Sequence, residues 1–352
     1  MERTGIYIHI PFCKRKCFYC HFVKGNFDKE LVDRYIDALV EELRLRSTAD
    51  YTIDTIYMGG GSPSLLEEKQ LMSVIDALHK YFNIHDTIEF TIEANPEDVT
   101  IEKLKIYKKL GINRISIGTQ SFVPTDLEYL KRNHSTRQSL SAVQMALETG
   151  FSNINLDFII GLPTQDKKKL EENFAVLKTF DIPHISAYLL EDVEEGEEKN
   201  ARDHDLYFFT VHHLAALGYA HYEVSNFSKP KCQSRHNLKY WNNKSYIGAG
   251  LSASGYEKGT DYRNAASFNS YFKKIGTGKL PFVERTRRNP GIRGIVMGLR
   301  LLEGIPFHSF RDFPEQTEFL LSNRFLIKRN GCIAVNPGKI LLLNEILTYF
   351  IP

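Results

Sequence analysis

The stretch HIPFCKRKCFYCHF, residues 9–22, contains three of the five cysteines of the chain, in the spacing C-x3-C-x2-C. Three neighbouring thiols cannot form an even set of disulfides, whereas thiolates on adjacent turns of chain are well suited to binding a metal ion or an inorganic cluster. An odd number of cysteines with three clustered also fits a reducing compartment. The stretch therefore predicts a metal or cluster site on Cys13, Cys17 and Cys20.

Two kinds of centre remain open from these residues alone. A structural zinc ion needs four ligands, and His21 is a candidate for the fourth, although tetrahedral sites usually take their second ligand pair from a separate segment. A [4Fe-4S] cluster normally takes four thiolates, so three would leave one iron open to an added ligand. An open iron indicates chemistry or regulation at this loop.

Short apolar runs with the length of buried strands recur along the first two thirds of the chain. They cover Gly5–Ile10, Ile53–Met58, Thr87–Ala94, Asn113–Gly118, Asn153–Ile160 and His184–Leu190. Helical patterns separate them, such as the i, i+4 series Leu31, Tyr35, Leu39 and Leu43. Strands that alternate with helices run parallel, so we predict an α/β fold: a partial (β/α)6 TIM-type barrel over residues 1–227. A closed barrel of eight units is the alternative.

The rest of the chain has a different pattern. Residues 228–285 are rich in Asn, Lys, Gly and Ser without a repeated strand and helix unit, and we predict a connector that carries HNLKYW at 236–241. Residues 286–352 predict a small C-terminal α/β domain, winged-helix-like, with a hairpin turn at Asn330-Gly331. A packing lid for the open barrel is the other interpretation. The acidic run EDVEEGEE at 191–198 predicts a solvated loop.

Composition limits the function. With 45 Lys plus Arg against 43 Asp plus Glu, the net charge of +2 gives no broad electrostatic footprint for nucleic acid, so we expect no nucleic-acid partner. No run of about 18 apolar residues is present, and His9 and Pro11 interrupt the first apolar stretch, which is unlike a secretory signal. We therefore expect a cytoplasmic protein.

The cysteine loop directly follows the first predicted strand, at the face where barrel active sites lie. Its spacing, with an aromatic residue before the last cysteine (Tyr19), resembles the radical S-adenosylmethionine (SAM) family. Further motifs resemble the branch with oxygen-independent coproporphyrinogen III dehydrogenase and a group of heme chaperones: YIHIPFC at 7–13, GGGSPS at 59–64, EANPE at 93–97, GTQSF at 118–122, LKRNH at 130–134 and NLDFIIGLP at 155–163. The resemblance implies a [4Fe-4S] cluster on the three cysteines and SAM on its open iron.

Several motif residues are candidates for the SAM pocket. Glycines at 59–61 lack Cβ atoms and can let a ligand approach the backbone, although a tight turn is the alternative. The resemblance implies that Gly60, Gly61 and Ser62 meet the methionine end of SAM, that Tyr7 lies close to the cluster, and that Ala187 contacts the adenine. It further implies that Glu93, Gln120, Arg132 and Asp157 line the pocket. Taken singly, Gln120 and Arg132 are also compatible with ordinary capping or ion pairing.

Two features distinguish the members of this branch. The dehydrogenases resemble C-x3-C-x2-C-x-C, whereas Phe22 stands here at the place of the final cysteine, and the chain begins only six residues before Tyr7. HNLKYW matches the H-N-x-x-Y-W motif of the chaperones, which implies heme contacts by His236, Tyr240 and Trp241. A capping turn with a core Trp is the alternative for this segment. Cys232 is expected to be a plain reduced thiol, with a ligand as the alternative if its segment is helical, and Cys332 is expected to be a small buried residue.

These observations leave two functions of different classes. The favoured one is a heme chaperone that binds heme, carries a [4Fe-4S] cluster and SAM, and transfers heme to acceptor hemoproteins, expected to be respiratory. The other is an enzyme, an oxygen-independent coproporphyrinogen III dehydrogenase that decarboxylates its substrate oxidatively with SAM. A transient membrane association, a homodimer and the cleavage of SAM are left open by the sequence.

Overall fold

A computed structural model describes residues 1–190 and 196–351. In chain order the strands are β1 Glu2–Ile10, β2 Phe12–Cys13, β3 Gly25–Asn26, β4 Tyr51–Gly60, β5 Asn83–Ala94, β6 Arg114–Gln120, β7 Asn153–Ile160, β8 His184–Leu189, β9 Ala220–Glu223, β10 Asn226–Ser228, β11 Tyr246–Ala249, β12 Ser254–Glu257, β13 Thr260–Asn264, β14 Phe282–Arg287, β15 Ile305–Pro306, β16 Leu326–Arg329 and β17 Cys332–Val335. The α-helices are α1 Lys29–Leu45, α2 Glu68–Tyr81, α3 Ile101–Lys109, α4 Pro124–Tyr129, α5 Thr136–Glu148, α6 Lys167–Thr179, α7 Glu197–Ala216, α8 Arg235–Trp241, α9 Phe268–Gly276, α10 Pro290–Gly298, α11 Pro314–Ser322 and α12 Leu343–Thr348.

The centre of the fold is a parallel sheet in the order β1-β4-β5-β6-β7-β8, with helices in the connections. All six strands were predicted from apolar runs, and the partial barrel is confirmed. Helix α1 begins where the Asp28 side chain accepts a hydrogen bond from the Leu31 amide, and its buried face includes Tyr35 and Leu39. The described sheet ends at β14 and β9, so its strands do not close into an eight-unit barrel.

The sheet continues across the boundary predicted at residue 227. Strands β9 and β10 extend it antiparallel beyond β8, whereas β11 pairs parallel with β1 and β12–β14 follow antiparallel. The segment expected to be a connector thus contributes four strands. Gly255 allows β12 to pack against the Tyr262 ring of β13, since a Cβ atom there would overlap that ring.

The C-terminal part has a small sheet of its own, in the order β15-β17-β16, packed with helices. Asn330 (φ 49°) and Gly331 (φ 78°) form the two-residue turn between β16 and β17, as expected for a tight hairpin. A small C-terminal sheet is therefore present, as predicted, while its division from the rest as a separate domain stays a prediction. An isolated bridge between Glu223 and Leu301 joins this part to the edge of the main sheet.

Residues 191–195 of the predicted acidic loop lie outside the described residues. Glu197 and Glu198 of the same run are the first residues of α7, where carboxylates interact favourably with the helix dipole. No helix in the described ranges is long and apolar enough to span a membrane.

Candidate functional site

A cavity of about 720 Å³ opens at the carboxyl ends of the parallel strands. The cysteines and every predicted SAM contact except Tyr7 line it: Cys13, Cys17, Tyr19, Cys20, Gly60, Gly61, Ser62, Glu93, Gln120, Arg132, Asp157 and Ala187. Cys13 and Ala187, which are more than 170 positions apart in the chain, meet here. Each residue of the lining follows a parallel strand or lies near its carboxyl end, and these ends are neighbours in the sheet.

Backbone bonds fix both ends of the cysteine loop. Strands β2 and β3 pair at the start and end of the loop, and the Gly25 amide donates to the Pro11 carbonyl at 2.6 Å. Buried His9 bonds the Val23 carbonyl at 3.1 Å. The loop is thereby held against the end of β1, and its three cysteines are half-buried and form no disulfide.

The chemistry of the three thiols fits an iron–sulfur cluster. Cys13, Cys17 and Cys20 all line the same cavity, and thiolates are the ligands that such a cluster takes. Cys13, Cys17 and Cys20 would thus be the ligands of a [4Fe-4S] cluster.

The glycines at 59–61 have structural reasons that the sequence did not reveal. A Cβ at Gly59 would lie 2.8 Å from the Glu93 carboxylate, and one at Gly61 would lie 2.6 Å from the Phe12 carbonyl oxygen. Gly60 has φ +108°, and a Cβ there would overlap the His9 ring. Contacts within the protein thus favour glycine at all three positions, and the ligand contact of Gly60 and Gly61, which line the cavity, stays a prediction.

Two buried carboxylates face the cavity, Glu93 from β5 and Asp157 from β7. Glu93 accepts hydrogen bonds from the Tyr57 hydroxyl at 2.8 Å and the Gly60 amide at 3.0 Å. Burial, reinforced by the nearby Asp157, raises the pKa of Glu93 to about 7. Burial also raises the pKa of Asp157, which accepts from Asn155 at 2.7 Å and Ser116 at 3.1 Å. A cationic ligand in this cavity would favour both carboxylates in the charged form.

Gln120 lies at the end of β6 in an unusual backbone conformation. Its φ is +62°, and the register of β6 against β7 shifts just before it. No described residue hydrogen-bonds its side-chain amide. A left-handed conformation at a residue other than glycine costs free energy and is concentrated at functional sites. The strained turn presents a free amide to the cavity.

Arg132 holds the cysteine loop to the strand ends. Its guanidinium donates to Cys17 Sγ at 3.4 Å, the Tyr19 hydroxyl at 3.3 Å, the Gly118 carbonyl at 3.2 Å and Asn95 Oδ1 at 2.8 Å. Asn95 also donates to Ser62 Oγ at 2.7 Å and lines the cavity. Sequence reasoning did not select Asn95, although it stands inside the EANPE motif.

Two predicted contacts are placed differently from the rest. Tyr7 is outside the cavity lining, and its hydroxyl bonds His9 Nδ1 at 2.9 Å, so it supports the base of the cysteine loop. Ala187 lines the cavity from β8, but its amide donates to the Ser225 carbonyl at 2.8 Å. An adenine contact would have to use the other backbone atoms of that strand.

The predicted heme residues lie away from the cavity, on helix α8. His236 is fully buried against the amino-terminal halves of the strands, with Nδ1 bonded to the Thr55 hydroxyl and Nε2 to the Tyr240 hydroxyl, both at 2.8 Å. Burial lowers its pKa to about 3. Both nitrogens of the neutral ring are engaged, so the expected axial bond to heme iron is not available in this structure.

The other two aromatic side chains of the motif are half-buried. Tyr240 contacts the Tyr246 ring at 4.5 Å, and the Arg300 guanidinium lies 5.4 Å from the Trp241 ring centroid. The Ser234 hydroxyl accepts from the Asn237 amide to begin α8, as in the alternative of a capping turn, but Trp241 does not lie in the core. Cys232 precedes this helix rather than lying on it.

Comparison with known proteins identifies related chains over nearly the whole length. The radical SAM superfamily model matches residues 7–177. The heme chaperone HemW of Lactococcus lactis is 35% identical over 325 aligned positions, covering 88% of this chain and 84% of the relative. HemW of Bacillus subtilis is 32% identical over 372 aligned positions, covering 98% of both chains.

A solved structure has the same fold. Coproporphyrinogen III oxidase (HemN) from Escherichia coli, described as a radical SAM enzyme, superposes with a TM-score of 0.86 at 20% sequence identity. The match covers 99% of this chain and 90% of that chain, so it includes the added strands β11–β14 and the small C-terminal sheet.

Proposed function

The chain belongs to the radical SAM superfamily and, within it, to the family of the HemW proteins, and on this basis we propose that it is a heme chaperone. The observation that carries the proposal is the identity of 32% to a HemW protein along 98% of both chains. Phe22 supports it, because the dehydrogenases of this branch resemble a motif with a fourth cysteine at that place.

We propose that Cys13, Cys17 and Cys20 ligate the cluster and that the cavity holds SAM. A bound [4Fe-4S] cluster would supply an open iron for SAM and a source of single electrons. Arg132 would keep the loop in place, Asn95 would orient Ser62 at the methionine end, and Gln120 would donate to the ligand. Glu93 and Asp157 would accept hydrogen bonds from its hydroxyl or amino groups.

A test of the cluster uses Cys17→Ser, because a hydroxyl is a poor replacement for a soft thiolate ligand. Cys332→Ser is the matched control, since that thiol lies on β17 in the small C-terminal sheet. We expect anaerobically prepared Cys17→Ser to lose iron and acid-labile sulfide and Cys332→Ser to keep both. Stoichiometric zinc without sulfide in the wild type would contradict the cluster.

The transfer of heme to acceptor hemoproteins is the finer part of the proposal. We propose that the acceptors are respiratory hemoproteins and that the protein reaches them by a transient association with the membrane. We further propose that it acts in the cytoplasm and that it forms a homodimer. Equilibrium titration with heme tests the first step. Stable binding supports the chaperone, and its absence would refute it.

A coproporphyrinogen III dehydrogenase is the second candidate, because the fold and the SAM cavity are also those expected of that enzyme. This reading predicts decarboxylation only when cluster, SAM and an electron donor are all present. Robust conversion of coproporphyrinogen III by the wild type would favour it over the chaperone.

A further inference from the structure

A buried cation inside the partial barrel lacks a partner. Arg114, the first residue of β6, is only 2% exposed, and its guanidinium makes no hydrogen bond or ion pair with a described residue. Its neighbours in register, Thr91 on β5 and Asn153 on β7, each have a buried side-chain oxygen that also lacks a hydrogen bond among these residues. Burying a charge without a partner costs free energy, so local packing alone does not explain an arginine at this position.

The alternation of side chains along β6 places Arg114 directly below the cavity. Ser116 lines the cavity, and residues two apart on a strand share a face and lie about 7 Å apart along it, whereas Ile115 between them belongs to the apolar core. Ser116 is in register with Glu93 on β5 and donates to Asp157 on β7 at 3.1 Å. The guanidinium therefore lies one layer below the two carboxylates of the cavity.

We propose that Arg114 is a positioning residue of the SAM site, whose charge keeps the carboxylates of Glu93 and Asp157 ionised so that they can accept hydrogen bonds from the ligand. The inference rests on the SAM site proposed above. Arg114 does not line the cavity, so it acts through the two carboxylates and not by touching the ligand. A buried cation can act over such a distance because little water screens it.

The other charged groups near this layer have partners of their own. Glu89 of β5 accepts hydrogen bonds from the amides of Arg235 and His236, at 3.0 and 2.9 Å. Lys239 of α8 pairs with Asp54 at 2.6 Å. At the cavity, the Arg132 guanidinium is directed to Asn95 and the cysteine loop. Of the cations named, Arg114 alone has no partner among the described residues.

The titratable rings around Arg114 are neutral at neutral pH. Burial lowers the pKa of His184 on β8 well below its usual value, and it lowers the pKa of His236 on α8 to about 3. Burial also raises the pKa of each tyrosine that interacts electrostatically with Arg114 or the two carboxylates: Tyr7, Tyr57, Tyr188, Tyr222 and Tyr240. None of these rings can therefore replace the positive charge of Arg114.

The pH dependence of SAM binding should report the loss of that charge. Burial raises the pKa of both carboxylates, to about 7 for Glu93, and Arg114 acts on both in the opposite direction. A charge in close contact moves a pKa by about 1–3, so from one layer away we expect Arg114 to account for about 0.5–1. Without Arg114, both carboxylates would ionise at higher pH.

The test is a SAM titration of the anaerobically prepared protein at pH 6 and pH 9, after iron and sulfide content show that each variant keeps its cluster. We expect Arg114→Met to bind SAM about three- to tenfold more weakly than the wild type at pH 6 and within about twofold of it at pH 9, where the carboxylates are ionised without help. Arg114→Gln, uncharged but polar, should give the same profile and serves if Arg114→Met does not fold. Arg137→Met, on the exposed side of α5, should match the wild type at both pH values.

The outcomes separate this role from the SAM site itself. If the wild type binds SAM and both Arg114 variants bind it equally well at pH 6, the role of Arg114 is wrong and the SAM site stands. An equal loss at pH 6 and pH 9 would also overturn the role, because it indicates a damaged pocket and not a missing charge. Failure of both variants to fold would make Arg114 a structural residue and overturn it as well. A wild type that binds no SAM overturns the proposed SAM site and this inference together.

Discussion

At Gln120 the free energy cost of the strained backbone can be measured separately from the contribution of the side chain to ligand binding. Its φ of +62° is left-handed, which costs a residue other than glycine about 1–2 kcal/mol. Glycine avoids that cost but loses about 0.5–1 kcal/mol through the entropy of the unfolded chain. We therefore expect Gln120→Gly to be about 0.5–1 kcal/mol more stable than Gln120→Ala, which retains the strain. Neither change breaks a hydrogen bond with a described residue.

Both variants lose the amide that faces the cavity. If that amide donates one hydrogen bond to SAM, its removal should cost about 1–1.5 kcal/mol, or about tenfold in the dissociation constant. Stability can be measured by calorimetry of the SAM-free protein and affinity by titration with SAM. The pair Lys231→Gly and Lys231→Ala is the control, because Lys231 has φ +66° in an exposed loop and should show the stability difference alone. Wild-type SAM affinity in both Gln120 variants would refute the assignment, and equal stability of the Gly and Ala variants would refute the strain argument.

Three further predictions concern buried charges. The pKa of Glu93, raised to about 7, implies that SAM affinity increases as the pH rises through that value, while the SAM-free protein loses stability as the pH rises from about 4.5 to 7; both slopes should be smaller in Glu93→Gln, and part of the stability slope should remain because burial also raises the pKa of Glu223 to about 7. Arg132→Met should retain the fold but speed loss of sulfide in air, because the bonds to Cys17 and Tyr19 disappear, and unchanged sulfide loss would contradict a positioning role. Glu42→Leu should lower the free energy of unfolding by about 3–5 kcal/mol in denaturant titrations, because it leaves Arg46 buried without its partner at 2.8 Å, whereas Glu41→Leu on the exposed face should change little.

The sequence predicted the parallel strands well because buried strands of an α/β sheet are continuous apolar runs, and Asn153–Ile160 was predicted to the residue. Strands β11–β14 were missed, since they are short, rich in glycine and polar residues, and carry no such run. The spacing of Leu140, Val143 and Leu147 predicts the apolar face of α5, and of these Val143 is fully buried while Leu140 is 38% exposed. Ala142 and Ala146, which that pattern leaves out, are fully buried as well. Small residues there pack directly on the sheet, and a pattern read from large side chains overlooks them.

The site was predictable to the extent that its residues follow strand ends. Cys13, Glu93 and Asp157 meet because parallel strands bring their carboxyl ends to one edge. For the HNLKYW motif the heme contacts stay a prediction, and the burial of His236, whose ring nitrogens bond Thr55 and Tyr240, is a tertiary property that no local pattern encodes.

The measurement that tests the chaperone most directly is the transfer of heme. The protein, with its cluster intact and SAM added, is loaded with heme anaerobically and mixed with the apo form of a b-type hemoprotein, and the Soret spectrum of the acceptor is followed. We predict that the acceptor gains heme from this protein and that the same preparation, given coproporphyrinogen III and a reductant, produces no decarboxylated product. Decarboxylation without heme transfer would contradict the account and assign the cavity to an enzyme.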